Sequence, residues 1–202
     1  LSATYASGTS ISWNNSVSNN VAFSPTSTAT YTVVGVDGNG CIATDEVQVT
    51  VLPLPTISGS SSVCVNATIT LTGSGSPSTS TPWASSSTNV ASISSNGVVT
   101  GLQAGTTTIT YTDSDGCQQT HDVTVQGLPA VNAGTDFSVC EGTQISLSGG
   151  GANSYSWDNG VTNGALFTAS TTTTYTVTGT NSNNCTNTDQ VTVTVNPVPT
   201  IS

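Results

Sequence analysis

"TYTVVGVDGNGC", residues 30–41, reads as an alternating strand, a turn and a cysteine. The same text returns as "TYTVTGTNSNNC", residues 174–185, and shortened as "TYTDSDGC", residues 110–117. Thr, Val and Tyr alternating at period 2 is the pattern of a half-buried strand. Asp, Asn and Gly tolerate the left-handed backbone that a tight hairpin needs, so each copy predicts one hairpin ending on a cysteine. No stretch sustains an i, i+3, i+4 apolar pattern free of Gly or Ser/Thr runs, so helices are not expected. Short strands with turn signals every 8 to 12 residues predict an all-β chain of small β-sandwiches in an extended string.

Sliding the sequence on itself by 144 residues lays 13–58 over 157–202 without a gap. About half of the paired positions are identical, the signature of an internal repeat. The pairs include Trp13/Trp157, Phe23/Phe167, Tyr31/Tyr175, Gly35/Gly179, Cys41/Cys185 and Asp45/Asp189, and the endings "PLPTIS" and "PVPTIS". Proline-containing joints at Pro53 and Pro55, at Pro129, and at Pro197 and Pro199 each follow a strand of the type "VTV". Proline leaves a central ladder and presets an extended backbone, so these joints read as stiff linkers. The expected domains are 1–52, a sandwich cut at its N-terminal side, 53–128, and 129–196, with 197–202 opening a further linker or repeat. In the last of them, strands are expected at 137–140, 144–148, 154–157, 165–168, 173–180 and 186–195.

Five cysteines follow the same plan. Cys64 and Cys140 head their units, while Cys41, Cys117 and Cys185 follow the hairpin turn. One staple per unit would pair Cys64 with Cys117 and Cys140 with Cys185. The partner of Cys41 is then expected upstream of Leu1, and the opening "LSATYASGTS", with no charged start or apolar core of a signal peptide, is expected to be internal to a longer protein. Such staples imply an oxidising, extracytoplasmic setting. A zinc site would want local cysteine pairs or a nearby histidine, and His121 has no such neighbour.

The 202 residues include ten acidic residues, one histidine and no lysine or arginine, for a net charge of −10. No side-chain salt bridge can form. Nucleic acid is excluded as a partner class, because its binding depends on Lys and Arg neutralising phosphates. Polybasic attraction to an anionic membrane fails likewise, and no apolar run approaches the roughly 20 residues of a spanning helix. Charged residues make up 5% of the chain, so Ser, Thr, Asn and Gly must solvate its surface.

Candidate chemistry is sparse. His121 stands beside Asp122 in "THDVTV", but no turn presents a nucleophilic serine to them, and the alternation puts His121 on an edge or exposed face. No catalytic or cofactor-binding residue is therefore assigned, and no enzyme is expected. Asp113 and Asp115 in "DSDG" form an oxygen-rich turn that could take calcium. Asp37 in "DGNG" resembles it, but "NSNN" has no carboxylate at the same place, so turn-making is the expected shared role. Trp13, Trp83 and Trp157 occur once per unit and are expected as core plugs rather than sugar-stacking platforms.

Residues 81–112, "TPWASSSTNVASISSNGVVTGLQAGTTTITYT", resemble a bacterial Ig-like domain of group 2, with its Val-Ala pair, "NGVVTGL" turn and "AGTTTIT" strand. The flanking units, with "YTVTGTNSNNCTNTDQVTVTVNP", resemble the PKD-like and Ig-like repeats of SprB-like gliding-motility adhesins of Bacteroidetes, exported by type IX secretion. The resemblance implies a spacer of a large adhesin at the cell surface, attached to the outer membrane. Its partners would be neighbouring repeats of the same chain, with any surface or glycan ligand held by other regions. The alternative it leaves open is a glycan-binding or accessory module of a secreted multidomain hydrolase.

Overall fold

The computed structural model describes residues 1–200; Ile201 and Ser202, which close the expected segment 197–202, lie outside the described residues. Those residues form 18 strands and no helix, so none is present that could cross a membrane. They divide into two compact units, one of Leu1–Leu54 with Asp115–Cys117 and one of Pro55–Ser114 with residues 118–200.

In the first unit β1 (Ser10–Trp13), β2 (Ala29–Val36) and β3 (Ile42–Val49) make one antiparallel sheet in that order. Tyr31 is the one buried apolar side chain described in residues 1–54, with the Phe23 ring at 5.1 Å. Ile42 and Val47 lie open to solvent.

The second unit holds two sandwiches. Its first part contains β4 (Ile57–Ser58), β5 (Ser62–Cys64), β6 (Thr68–Thr70), β7 (Thr72–Gly73), β8 (Trp83–Ser85), β9 (Ala91–Ile93), β10 (Val98–Gly101), β11 (Gly105–Thr112) and β12 (Gln118–Gln126). A sheet ordered β5-β12-β11-β8 packs against one ordered β6-β10-β9. Val63, Ile109, Val123 and Val125 from one face meet Leu71, Ala91 and Val99 from the other. Seven mostly small side chains make a modest core, and small cores need added constraint.

The second part runs through β13 (Phe137–Cys140), β14 (Gln144–Ser146), β15 (Ser154–Trp157), β16 (Leu166–Thr168), β17 (Thr173–Thr180) and β18 (Thr186–Asn196). These bounds follow the expected strands within two residues. The sheet β13-β18-β17-β15 covers the pair β14-β16 over Ile145, Leu147, Trp157, Tyr175, Val177, Val191 and Val193. With no Lys or Arg to form ion pairs, the outer faces carry hydroxyl pairs across strands: Thr106 to Thr124 at 3.2 Å and Thr174 to Thr192 at 3.0 Å.

The 144-residue repeat extends to individual bonds. Trp13 Nε1 donates to Asn19 Oδ1 at 3.3 Å, and Trp157 Nε1 to Asn163 Oδ1 at 3.0 Å. Val51 N donates to Thr28 Oγ1, and Val195 N to Thr172 Oγ1, both at 2.9 Å. The Phe167 ring sits 5.4 Å from Tyr175, as Phe23 does beside Tyr31.

Candidate functional site

The head strand of each complete sandwich runs parallel to that sandwich's own last strand. β5 pairs with β12 so that Cys64 lies opposite Gln126, and β13 pairs with β18 so that Cys140 lies opposite Asn196. Both cysteines therefore stand where the chain leaves the sandwich for its proline joint. The hairpin cysteines stand at the opposite end. Asn181 Oδ1 accepts from the N–H groups of Asn183 and Cys185 at 3.0 Å each, and Asn184 takes a φ of 62°, so the side chain closes the turn and aims Cys185.

That turn sits on the joint of the sandwich before it. Asn181 Nδ2 donates to Gly127 O at 3.0 Å, Asn183 Nδ2 to Gln126 Oε1 at 2.8 Å, and Asn187 Nδ2 to Pro129 O at 3.1 Å. Beneath these bonds Cys185, fully buried, is disulfide-bonded to Cys64 with the Cα atoms 5.6 Å apart. The staple joins two sandwiches rather than closing one.

This corrects the pairing expected from position along the chain, Cys64 with Cys117 and Cys140 with Cys185. Parallel pairing carries each head cysteine to the far end of the last strand. Eleven residues separate Cys185 from Asn196, about 36 Å at ~3.3 Å per residue, whereas a disulfide needs Cα atoms within about 7 Å. Cys140 and Cys41 are exposed free thiols, and Cys117 is half-buried. Asn181, Asn183 and Asn187 were not singled out from sequence as functional. Their signal is Asn repeated around a hairpin cysteine, which serves equally well as turn chemistry.

The remaining candidates separate. His121 lies opposite Ile109 in the β11–β12 ladder and so shares the inward face, not the exposed one; its Nε2 is 3.1 Å from Ser61 Oγ. Asp122 projects to the other face and accepts from Thr108 Oγ1 at 2.7 Å, so the strand sets the two side chains apart. Asp113 is buried and Asp115 exposed. Among the described residues no group of three or more His, Cys, Asp or Glu side chains comes together. Trp157 is a core residue, Trp83 packs on the other core with Tyr111 at 4.7 Å, and Trp13 is half-buried. A cleft of about 400 Å³ in the first unit is lined by Tyr5, Ile11, Val33, Gly35, Ile42 and Asp45, among others.

A family profile described as "Bacterial Ig-like domain (group 2)" matches residues 47–125. Residues 47–125 are thus similar to an Ig-like domain. Their β10 and β11 carry the "NGVVTGL" and "AGTTTIT" text, and their head strand supplies Cys64. No curated protein matches the chain. Among solved structures it is similar to the S-layer protein rSbsC(31-844), at 15% identity over 96% of this chain and 36% of that one, with a TM-score of 0.34. It is also similar to mouse cadherin-23 EC22-24, at 15% identity over 85% of this chain and 75% of that one, with a TM-score of 0.30. The chain thus spans about a third of the length of the S-layer protein.

Proposed function

We propose that this chain is a spacer segment of a large repetitive cell-surface adhesin, serving gliding motility or surface attachment by stiffness and reach. The observation that carries the reading is the Cys64–Cys185 bond, which fastens one Ig-like sandwich to the next across a proline joint. A covalent brace at a joint resists bending and pull. Disulfides persist in oxidising compartments, which supports an extracellular position. The finer reading has three tandem domains, 1–52, 53–128 and 129–196, in a type IX-secreted, outer-membrane-attached protein of the SprB-like kind. The segment has no chemistry or cofactor of its own in this reading, and ligands bind elsewhere on the string. A glycan-binding or hydrolase-accessory role would want open tryptophan faces, and Trp157 lies in the core.

Two measurements test it. An antibody raised against these 202 residues should label intact cells of the source organism; labelling only after permeabilisation overturns the surface assignment. Pulled from its ends, the oxidised chain should hide the 121-residue span between the cysteines. At ~3.3–3.6 Å per residue, the reduced chain should extend by about 400 Å more. Equal extensions would remove the mechanical role.

A further inference from the structure

The five cysteines occupy only two kinds of position. Cys64 and Cys140 end a head strand at the exit of a sandwich, opposite Gln126 and Asn196 respectively. Cys41, Cys117 and Cys185 each follow a hairpin residue of positive φ: Gly40 at 81°, Gly116 at 82° and Asn184 at 62°. The observed bond joins an exit cysteine to the hairpin cysteine of the next sandwich. Within one sandwich the two kinds stand at opposite ends of the last strand, beyond disulfide reach.

Cys140 reproduces the setting of Cys64 one joint further along. It has the same parallel register, its neighbour Glu141 donates its N–H to Asn196 O at 2.9 Å as Val65 does to Gln126 O at 3.0 Å, and a proline joint follows. Its thiol is exposed and unbonded. We propose that Cys140 is the exit half of a second inter-repeat disulfide, bonding the hairpin cysteine of a repeat placed after it. "PVPTIS" at 197–202 repeats "PLPTIS" at 53–58, which opens the middle repeat, so the partner in register is the Cys117 position.

Forming the bond removes two protons and two electrons from the two thiols. A disulfide oxidant, a small molecule or an oxidised dithiol protein, accepts them by thiol–disulfide exchange and leaves as two thiols. Successive joints are then braced alike, and each repeat is held by its hairpin to the one before and by its head strand to the one after.

The test is a tandem chain, residues 1–202 followed directly by a second copy of residues 59–202, which continues the repeat in register. Cys41→Ser and Cys117→Ser in the first copy and Cys140→Ser in the second leave one expected partner for Cys140. After folding in reduced and oxidised glutathione, free thiols are alkylated, and the chain is cut at acidic residues because it has no trypsin site. Mass spectrometry should find a peptide joining Cys140 to Cys117 of the appended copy, beside the Cys64–Cys185 peptide. Cys140 found alkylated, or joined to Cys185, while Cys64–Cys185 is intact overturns the proposal. Adding Cys140→Ser to the first copy should free one thiol, at the appended Cys117; no new thiol would also overturn it. The proposal rests on the tandem string, and its failure would leave antibody labelling of the cell surface unchanged.

Discussion

Cys64 and Cys185 are 121 residues apart in sequence and 5.6 Å apart at Cα, each in a different sandwich. In the chain-entropy view, closing a loop this long stabilises the folded pair by about 4 to 5 kcal/mol. The bond also couples two cores that otherwise meet through asparagine contacts at a joint. Cys64→Ser with Cys185→Ser should therefore split unfolding of residues 55–200 into two transitions and lower the weaker one. Calorimetry of the oxidised chain should show a single transition there; an unchanged thermogram in the double variant would mean that the asparagine contacts alone do the coupling.

Gly179 and Gly35 are equivalent in the repeat but differ in surroundings. A Cβ on Gly179 would lie 2.5 Å from Val131 Cγ2 and 2.8 Å from Ala152 Cβ, whereas on Gly35 the nearest atom is Thr9 Cγ2 at 3.4 Å. Gly179→Ala should cost about 1–3 kcal/mol through overpacking. Gly35→Ala should change the stability of this chain little. Urea titration of both variants checks the contrast, and equal losses would remove the packing explanation.

Asn163 joins two loops to the core tryptophan of the last sandwich. Its Oδ1 accepts from Trp157 Nε1 at 3.0 Å and from Gly149 N at 2.8 Å, as Asn19 Oδ1 does from Trp13 Nε1 and from Ala3 N at 2.9 Å. Asn163→Ala leaves two donors without this acceptor, at a cost of about 1–3 kcal/mol. Trp157→Ala should cost more, about 3–5 kcal/mol, because it empties a core position. Denaturation midpoints followed by the circular dichroism of the strands would rank the two.

Much of this was legible in the sequence because it is local or periodic. "TTYTVTGT" announces β17 by its alternation, and "NSNN" announces its turn, since both depend on residues close in the chain. The disulfide partner was not legible. It depends on whether the head strand runs parallel or antiparallel to the last strand, and "FSVC" reads the same in either direction. His121 shows a related limit, because one register step decides which face "THDVTV" turns inward.

Asp37 and Asp189 give the chain a defined acid limit. Backbone N–H groups of Cys41 and Asn39 hold the Asp37 carboxyl below its ordinary value, and those of Ala133 and Gln190 do the same for Asp189. A depressed folded value means that the stabilisation is present above the unfolded value, near pH 3.9, and is lost as pH falls through the folded one. Melting temperature should thus hold from neutral pH to about pH 4 and fall below it. At neutral pH, Asp37→Asn should behave like the parent, because Asn181 closes the equivalent turn without charge, its Oδ1 taking the N–H groups of Asn183 and Cys185. Below pH 4 the variant should lose less stability than the parent. The same turn chemistry makes calcium unnecessary there, so a chelator should leave the melting temperature of the chain where it was. A drop on chelation would assign the metal to Asp113 and Asp115 instead, and Asp113→Asn should then abolish that drop.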